Sequence, residues 1–353
     1  MLKTFQSFRF VLFPLSVIYG AAIRIRNMLF DKNLLHSASF NFPVICIGNL
    51  AVGGTGKTPM AEHLIWLLKS DYKIATLSRG YKRKTKGFAI AGKNTTALDI
   101  GDEPMQFHKK FPDVTIAVAE ERLVAIPQLL HANPETQVII LDDAFQHRQV
   151  RAGLNILLTD YKNLYTRDFI LPAGDLRDVR ASSSRADIIV VTKSPVDLTT
   201  EEKNKLIKEL NPEKHQSVFF TTIVYADLYH LFTQEEKSLQ PETNVLLVCG
   251  IANPKPIKDM LNATLETYEM MRFNDHHIFT IADLKEIKSE FAGIEANDKI
   301  IITTEKDGVR LEKYESELSA LPIYVLPMKH QFLFDEEPVF NEHISRFISS
   351  FSL

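Results

Sequence analysis

Cysteine is scarce in this chain, and neither sign of charge dominates it. The two thiols among 353 residues, Cys46 and Cys249, sit far apart inside apolar runs. That leaves no disulfide framework and no zinc-ligand spacing, and points to two buried thiols in a reducing compartment. A net charge of −3 and a pI near 6.4 exclude the basic footprint of bulk nucleic-acid binding. Internal repeats and low-complexity tracts are missing. Acidic residues are missing from residues 1–30, which instead carry Lys3, Arg9, Arg24 and Arg26. The uncharged stretch there, FVLFPLSVIYGAAI from Phe10 to Ile23, is shorter than the roughly 20 apolar residues a membrane-crossing helix needs. It looks like a signal-peptide core, yet a chain without a disulfide framework belongs in a reducing compartment. We therefore read residues 1–30 as a helix lying on the inner face of a membrane, basic residues toward anionic headgroups, with Pro14 expected to kink it. Docking of that helix on its own domain is the other reading, and one face can serve each.

What is present is organised around Pro43-Val44-Ile45-Cys46-Ile47-Gly48-Asn49-Leu50-Ala51-Val52-Gly53-Gly54-Thr55-Gly56-Lys57-Thr58. A short apolar run passes into a glycine-rich turn, and a helix is expected from Met60 to Lys69. Strand, loop and helix in that order make a phosphate-binding loop. Gly53, Gly54, Thr55 and Gly56 turn backbone N–H groups toward an anion, and the helix adds its positive end. Lys57 reaches the β- and γ-phosphates, and Thr58 holds Mg²⁺. A glycine expected five residues before Gly56 is replaced by Ala51. The second half of such a site is an apolar strand ending in acids, which Val138-Ile139-Ile140-Leu141-Asp142-Asp143 supplies.

Short apolar runs at 74–77, 115–119, 138–141, 155–158 and 188–192 alternate with helical stretches at 104–110 and 122–131. That pattern predicts a parallel sheet covered by helices on both faces, with ligands at the carboxyl ends of its strands. Two domains are the expectation for this length and a 45% hydrophobic composition. The boundaries read as an amino-terminal helix over 1–30, a phosphate-loop domain over 31–216, linker strands over 217–243 and a smaller α/β domain over 244–353. Within the last, helices are expected at 257–264, 281–291 and 311–321, and strands at 244–250 and 299–303. A flexible joint between the two suggests closure over substrate.

Taken together, the blocks resemble the tetraacyldisaccharide 4′-kinase (lipid A 4′-kinase) family. They are Gly48-Asn49 with Gly53-Gly54-Thr55-Gly56-Lys57-Thr58-Pro59, then Ser78-Arg79-Gly80-Tyr81 and Gly101-Asp102-Glu103-Pro104. Asp142-Asp143-Ala144-Phe145-Gln146-His147, Leu171-Pro172-Ala173-Gly174-Asp175-Leu176-Arg177, Asp275-His276-His277 and Thr304-Glu305-Lys306-Asp307 follow. They run in the family's order over most of the chain. Ala144 and Asp178 depart from it, standing where glycine and glutamate are usual.

The resemblance implies a phosphate-loop fold with a second, smaller α/β domain. It implies transfer of the γ-phosphate of ATP to the 4′-hydroxyl of an acylated glucosamine disaccharide-1-phosphate, with ATP and Mg²⁺ as cofactors. The site would be at the cytoplasmic face of the bacterial inner membrane, with no nucleic acid and no protein partner required. Lys57, Asp102 and His276 are the catalytic candidates: Asp102 as proton acceptor by resemblance, with His276 assisting. Thr58, Asp142, Asp143 and Glu103 are the metal candidates, and Arg79, Arg177 and Lys306 the basic groups for phosphates. Asp102 and Glu103 could also merely open a helix, acids being favourable at its positive end. Thr192-Lys193-Ser194-Pro195 lacks the asparagine of a guanine-reading loop, so ATP is preferred through the family. A rival is a membrane-surface ATPase switch, disfavoured by Val52 where such switches carry a lysine. A soluble sugar or nucleoside kinase would leave the amino terminus unexplained.

Overall fold

The structure is a computed structural model and describes residues 9–351; Lys3 and the start of the amino-terminal segment lie outside the described residues. Two large sheets carry the fold. In the nine-stranded sheet the spatial order is Met328–Phe332, Ser217–Tyr225, Ile188–Thr192, Leu154–Asp160, Val44–Asn49, Val138–Asp142, Ile74–Ser78, Thr115–Val118 and Ala89–Ile90. The inner strands are parallel, and the first and last are antiparallel to their neighbours. Inner strands such as Val138–Asp142 and Ile188–Thr192 are buried along their whole length. That is why they read as unbroken apolar runs rather than alternating ones. Met60, Leu64, Ile65 and Leu68 of the helix Lys57–Leu68 fill one face. Ala125, Ile126 and Leu129 of the helix Arg122–Ala132 fill the other.

The six-stranded sheet runs Glu236–Lys237, Leu228–His230, Ile323–Leu326, Lys299–Thr304, Asn244–Cys249 and Tyr268–Arg272. Its last four strands are parallel. Helices Lys255–Thr264 and Ile281–Gly293 cover its two faces. The expected α/β architecture, a helix-covered parallel sheet with a second smaller one, is what the chain forms. Both cysteines are buried free thiols, and burial first of all pushes them up, to about 12 for Cys46 and about 11 for Cys249.

Several local expectations differ from the structure, each for a physical reason. Pro14 does not kink the amino-terminal helix. It sits in the first turn of Phe13–Asp31, where a missing N–H leaves no bond unmade. The phosphate-loop helix starts at Lys57 rather than Met60, because Pro59 is tolerated in its first turn for the same reason. The 311–321 helix begins earlier and breaks: Glu305–Leu311 is capped by the Thr304 hydroxyl, which accepts from Asp307 N–H, and a 3-10 turn then separates it from Glu315–Leu318.

Residues 217–243 are not a separate strand pair. Ser217–Tyr225 joins the nine-stranded sheet and Leu228–His230 the six-stranded one. Phe219 and Phe220 bury in the first core and Leu228 in the second, so the chain crosses between bodies at Ala226–Asp227. Residues 328–349, placed by sequence in the smaller domain, return to the first. Met328–Phe332 pairs with Ser217–Tyr225, while Phe332, Phe340, Ile344 and Ile348 bury beside Phe219. No helix among the described residues is long and apolar enough to cross a membrane.

Candidate active site

The carboxyl ends of the parallel strands converge on the loop between Val44–Asn49 and Lys57–Leu68. Gly48 is required there by close approach: a Cβ on it would stand 2.5 Å from the Phe145 Cβ. Gly56, at φ +84°, turns the chain into the helix in a left-handed conformation that favours glycine. The Asn49 side chain donates to the Thr55 hydroxyl at 2.9 Å. Lys57 and Thr58 follow in the first turn, half-buried.

Asp142 ends its strand 3% exposed, and its Oδ1 has no hydrogen-bond partner among the described residues. Burial first, then the carboxylates of Glu103 and Asp143, push the Asp142 carboxyl up to about 7, while Lys57 and Lys306 oppose the rise. Asp143 behaves oppositely. Burial alone would raise it, but bonding to Arg177 and the charges of Lys57 and Arg177 hold it below the ordinary carboxylate range. Lys57 Nζ lies 3.7 Å from Asp143, and Arg177 grips the same carboxylate with both terminal nitrogens. The two acids therefore differ: Asp143 is held by cations, and Asp142 keeps an unfilled oxygen.

Asp102 and Glu103 open the helix Asp102–Lys110, as the helix-start reading allows, and they also face the other body. Asp102 Oδ2 lies 2.9 Å from His276 Nδ1 and accepts from Arg310 Nη2 at 2.5 Å. Arg310 Nη2 also stands 3.0 Å from that ring nitrogen. An ionised carboxylate can only accept, so the contact assigns Nδ1–H donating to Asp102, and the Arg310 approach to that nitrogen is then not a hydrogen bond. Burial by itself would raise the Asp102 carboxyl, but Arg310 and then His276 more than offset it and keep it below the usual range. Both bonds fall on Oδ2; among the described residues none falls on Oδ1. His276 has φ +60°, a conformation a residue with a Cβ rarely adopts, and its ring packs edge-on to Tyr81 at 5.9 Å. His277, its neighbour, turns away to Asp283 at 3.0 Å.

Sequence reasoning missed Arg310 and Asp307, which fix this pair. Asp307 is fully buried and accepts from Gly250 N–H, the Thr304 hydroxyl and Arg310 Nη1 at 2.7–2.9 Å. The cap pattern at Thr304–Asp307 was the available signal, three residues before Arg310. Lys306 turns to Glu103 at 2.6 Å. Lys110, on the Asp102 helix, bridges Glu62 of the phosphate-loop helix and Glu305 of the second body at 2.6 and 2.7 Å. Arg79 is exposed at the end of Ile74–Ser78. It lies within electrostatic reach of Arg122, a 5% exposed arginine, and of His147; the Arg122 Nε and the buried His147 Nε2 have no hydrogen-bond partner among the described residues. Asp178, one of the two departures noted above, is buried between Arg185 and Asn27 and ties the amino-terminal helix to the 3-10 segment Arg180–Arg185.

A glycine loop ending in Lys57-Thr58 at a strand terminus, an unfilled aspartate oxygen beside it, and a carboxylate–imidazole pair brought across from a second body define a phosphate-loop phosphotransferase. Residues 8–349 match the family described as Tetraacyldisaccharide-1-P 4′-kinase. The Tetraacyldisaccharide 4′-kinase of Phocaeicola vulgatus is 45% identical over 345 residues, covering 96% of this chain and 94% of its own. That of Flavobacterium johnsoniae is 48% identical, covering 93% and 95%. LpxK of Aquifex aeolicus, whose crystal structure is described as an "apo" form in complex with ATP, superposes with a TM-score of 0.76 at 30% identity, covering 97% of this chain and 99% of that one. The chain belongs to the tetraacyldisaccharide 4′-kinase family. It is a kinase of that class, and the ATPase-switch reading is not favoured.

Proposed function

We propose that this chain transfers the γ-phosphate of ATP to the 4′-hydroxyl of an acylated glucosamine disaccharide-1-phosphate in lipid A biosynthesis, with the site residues in the following roles. The observation that carries the assignment is the Asp102–His276 contact of 2.9 Å, made across the two bodies and anchored by Arg310. Asp102 accepts the proton of the sugar hydroxyl at Oδ1, the oxygen its own partners leave free. Arg310 and then His276 hold its basicity down, and His276 keeps the carboxylate oriented. General-base assistance of this kind contributes about 10²–10⁴ in rate. The loop Gly53-Gly54-Thr55-Gly56 cradles the phosphates with its N–H groups, and Lys57 stabilises charge on the transferring group. Arg177 and Arg79 meet substrate phosphates, and Arg122, buried and without a carboxylate ion-pair partner among the described residues, adds charge on Arg79's side.

The residues present fit Mg²⁺. Thr58, Asp142 and Glu103 offer the hard oxygens it takes, with Asp143 alongside, and the unpartnered Asp142 Oδ1 is the atom a cation would satisfy. Among the described residues no three His, Cys, Asp or Glu side chains converge into a complete cage, so phosphate oxygens and water would complete the shell. When bound, Mg²⁺ supplies charge neutralisation between the phosphates.

Association with the membrane surface is supported by the helix Phe13–Asp31. Ile23 and Phe30 bury against the protein, while Leu15, Ile18, Ile25 and Met28 are exposed, Ile18 by 68%. One face thus docks and another is left for lipid, with Arg24 and Arg26 among them. The test is labelled γ-phosphate with and without disaccharide-1-phosphate lipid. Label should appear on the lipid; release to water at a rate indifferent to lipid overturns the proposal.

A further inference from the structure

Three consecutive carbonyls of the phosphate loop, those of Gly54, Thr55 and Gly56, are each held by a side chain. Lys193 Nζ donates to Gly54 O, and the Thr192 hydroxyl donates to Thr55 O at 2.9 Å. The third is His330, whose Nε2 lies 2.9 Å from Gly56 O. Sequence reading gave His330 no role, and it lies 274 residues from Gly56 along the chain. It is 5% exposed on the strand Met328–Phe332, opposite Ile223. Its Nδ1 is 2.9 Å from the hydroxyl of Thr221, which is fully buried. A hydroxyl donating to Nδ1 leaves the proton on Nε2, so the ring donates to Gly56 O. Burial holds His330 down, to about 4, so the ring stays neutral at working pH and this tautomer persists.

We propose that His330 is a positioning residue for nucleotide binding, aiming the Lys57 N–H and the start of the phosphate-loop helix by anchoring the Gly56 carbonyl. The inference rests on the loop being the ATP site. Its physical basis is peptide planarity: in a trans peptide, the C=O of Gly56 and the N–H of Lys57 point in opposite directions. Drawing the carbonyl back toward His330 therefore turns that N–H forward, where the phosphates would lie. Gly56 O also accepts from Met60 N–H at 3.1 Å, so without His330 the helix bond alone would orient the plane. A side chain on Gly56 could not coexist with this contact, since its Cβ would come 2.9 Å from His330 Cε1. Only Pro327 separates the strand carrying His330 from Ile323–Leu326, the strand of the six-stranded sheet that comes last along the chain. The anchor therefore lies just past a point where the chain crosses between bodies, and movement of the second body would be felt at the loop.

The test titrates full-length protein with MgATP and measures kcat and both KM values for His330→Leu, His330→Gln and His330→Asn. Glutamine can place an N–H where Nε2 stands; asparagine is too short, and leucine has no donor. Losing one such bond should weaken MgATP binding about tenfold in His330→Leu and His330→Asn. His330→Gln should recover to within about threefold, with lipid KM unchanged within about twofold in all three. A purely structural role would lower the thermal midpoint without this split. If His330→Leu does not fold, the glutamine–asparagine pair decides alone, and equal MgATP affinity in the two overturns the inference. Unchanged affinity in His330→Leu does the same. Lys57→Ala in parallel separates the two levels: weakened binding there with intact binding in the His330 variants sinks only the anchor, whereas MgATP binding unchanged in Lys57→Ala removes the loop as the nucleotide site.

Discussion

Arg310→Lys is the substitution that most sharply probes how the second body prepares the first. Arg310 is 7% exposed in its side chain and spans two carboxylates, donating Nη1 to Asp307 at 2.9 Å and Nη2 to Asp102 at 2.5 Å. An ammonium keeps the charge but has one nitrogen, so it cannot hold both acids in that geometry. Asp307 is fully buried and also gripped by Gly250 and Thr304, so the lysine would stay with it and Asp102 would keep only His276. One charge-assisted hydrogen bond is worth about 1.5–3 kcal/mol. If that loss falls on the reacting geometry, kcat drops about tenfold to a hundredfold.

The pH profile gives the sign. Burial raises the Asp102 carboxyl and Arg310 is the largest opposing influence, so Arg310→Lys moves that carboxyl upward. Asp102 accepts a proton only when ionised, so the acid limb of kcat must move to higher pH, and the deficit must shrink as pH rises. The same depression means that Asp102's contribution to folding, present above its unfolded value, is lost as pH falls through the folded one; the variant should show less of that acid sensitivity. The assay is labelled-phosphate transfer at saturating ATP across the pH range where the variant stays folded by circular dichroism. An unshifted acid limb with a uniform loss at all pH values would refute the assignment of Arg310 to Asp102.

Lys57→Ala should lower transfer about 10²–10³ through loss of charge stabilisation, with the fold intact; near-normal turnover would remove the loop from the site. Replacing Ile18 and Ile25 with glutamate should reduce flotation with anionic vesicles and raise KM for lipid more than for ATP. Flotation equal to that of the parent would remove the helix from the membrane surface. Cys46 and Cys249, buried and pushed up to about 12 and about 11, should resist thiol reagents at neutral pH until the protein unfolds; rapid labelling of the native enzyme would contradict their placement.

The loop and Asp142 were legible as candidates because their chemistry is concentrated in short segments at strand ends, whereas the pairing of Asp102 with His276 was expected only through the family resemblance, and the structure brings the two side chains to 2.9 Å. Lys57 and Thr58 follow a glycine run directly, and Asp142 closes five buried strand residues. Asp307 and Arg310 were harder: the threonine that caps their helix reads as ordinary helix punctuation, and only the fold brings Arg310 to Asp102, 208 residues away. His330 was invisible for the same reason. The second domain was drawn too long because Met328–Phe332 follows its last strand after a single proline, and nothing local marks the change of sheet. The affinity of Phe332 and Phe340 for Phe219 decides it, and that contact is long-range.

The most direct test of the account is a single-turnover measurement of labelled phosphate reaching the lipid, at saturating ATP, for Asp102→Asn, His276→Ala and the double variant. Asp102→Asn keeps the shape but not the basicity, and should lose about 10²–10⁴ in rate with ATP affinity little changed. Because Asp102 and His276 share one bond, the double variant should lose far less than the product of the two single losses. Full turnover in Asp102→Asn, or a rate restored merely by more ATP, would contradict the claim that Asp102 takes the proton with His276 holding it in place.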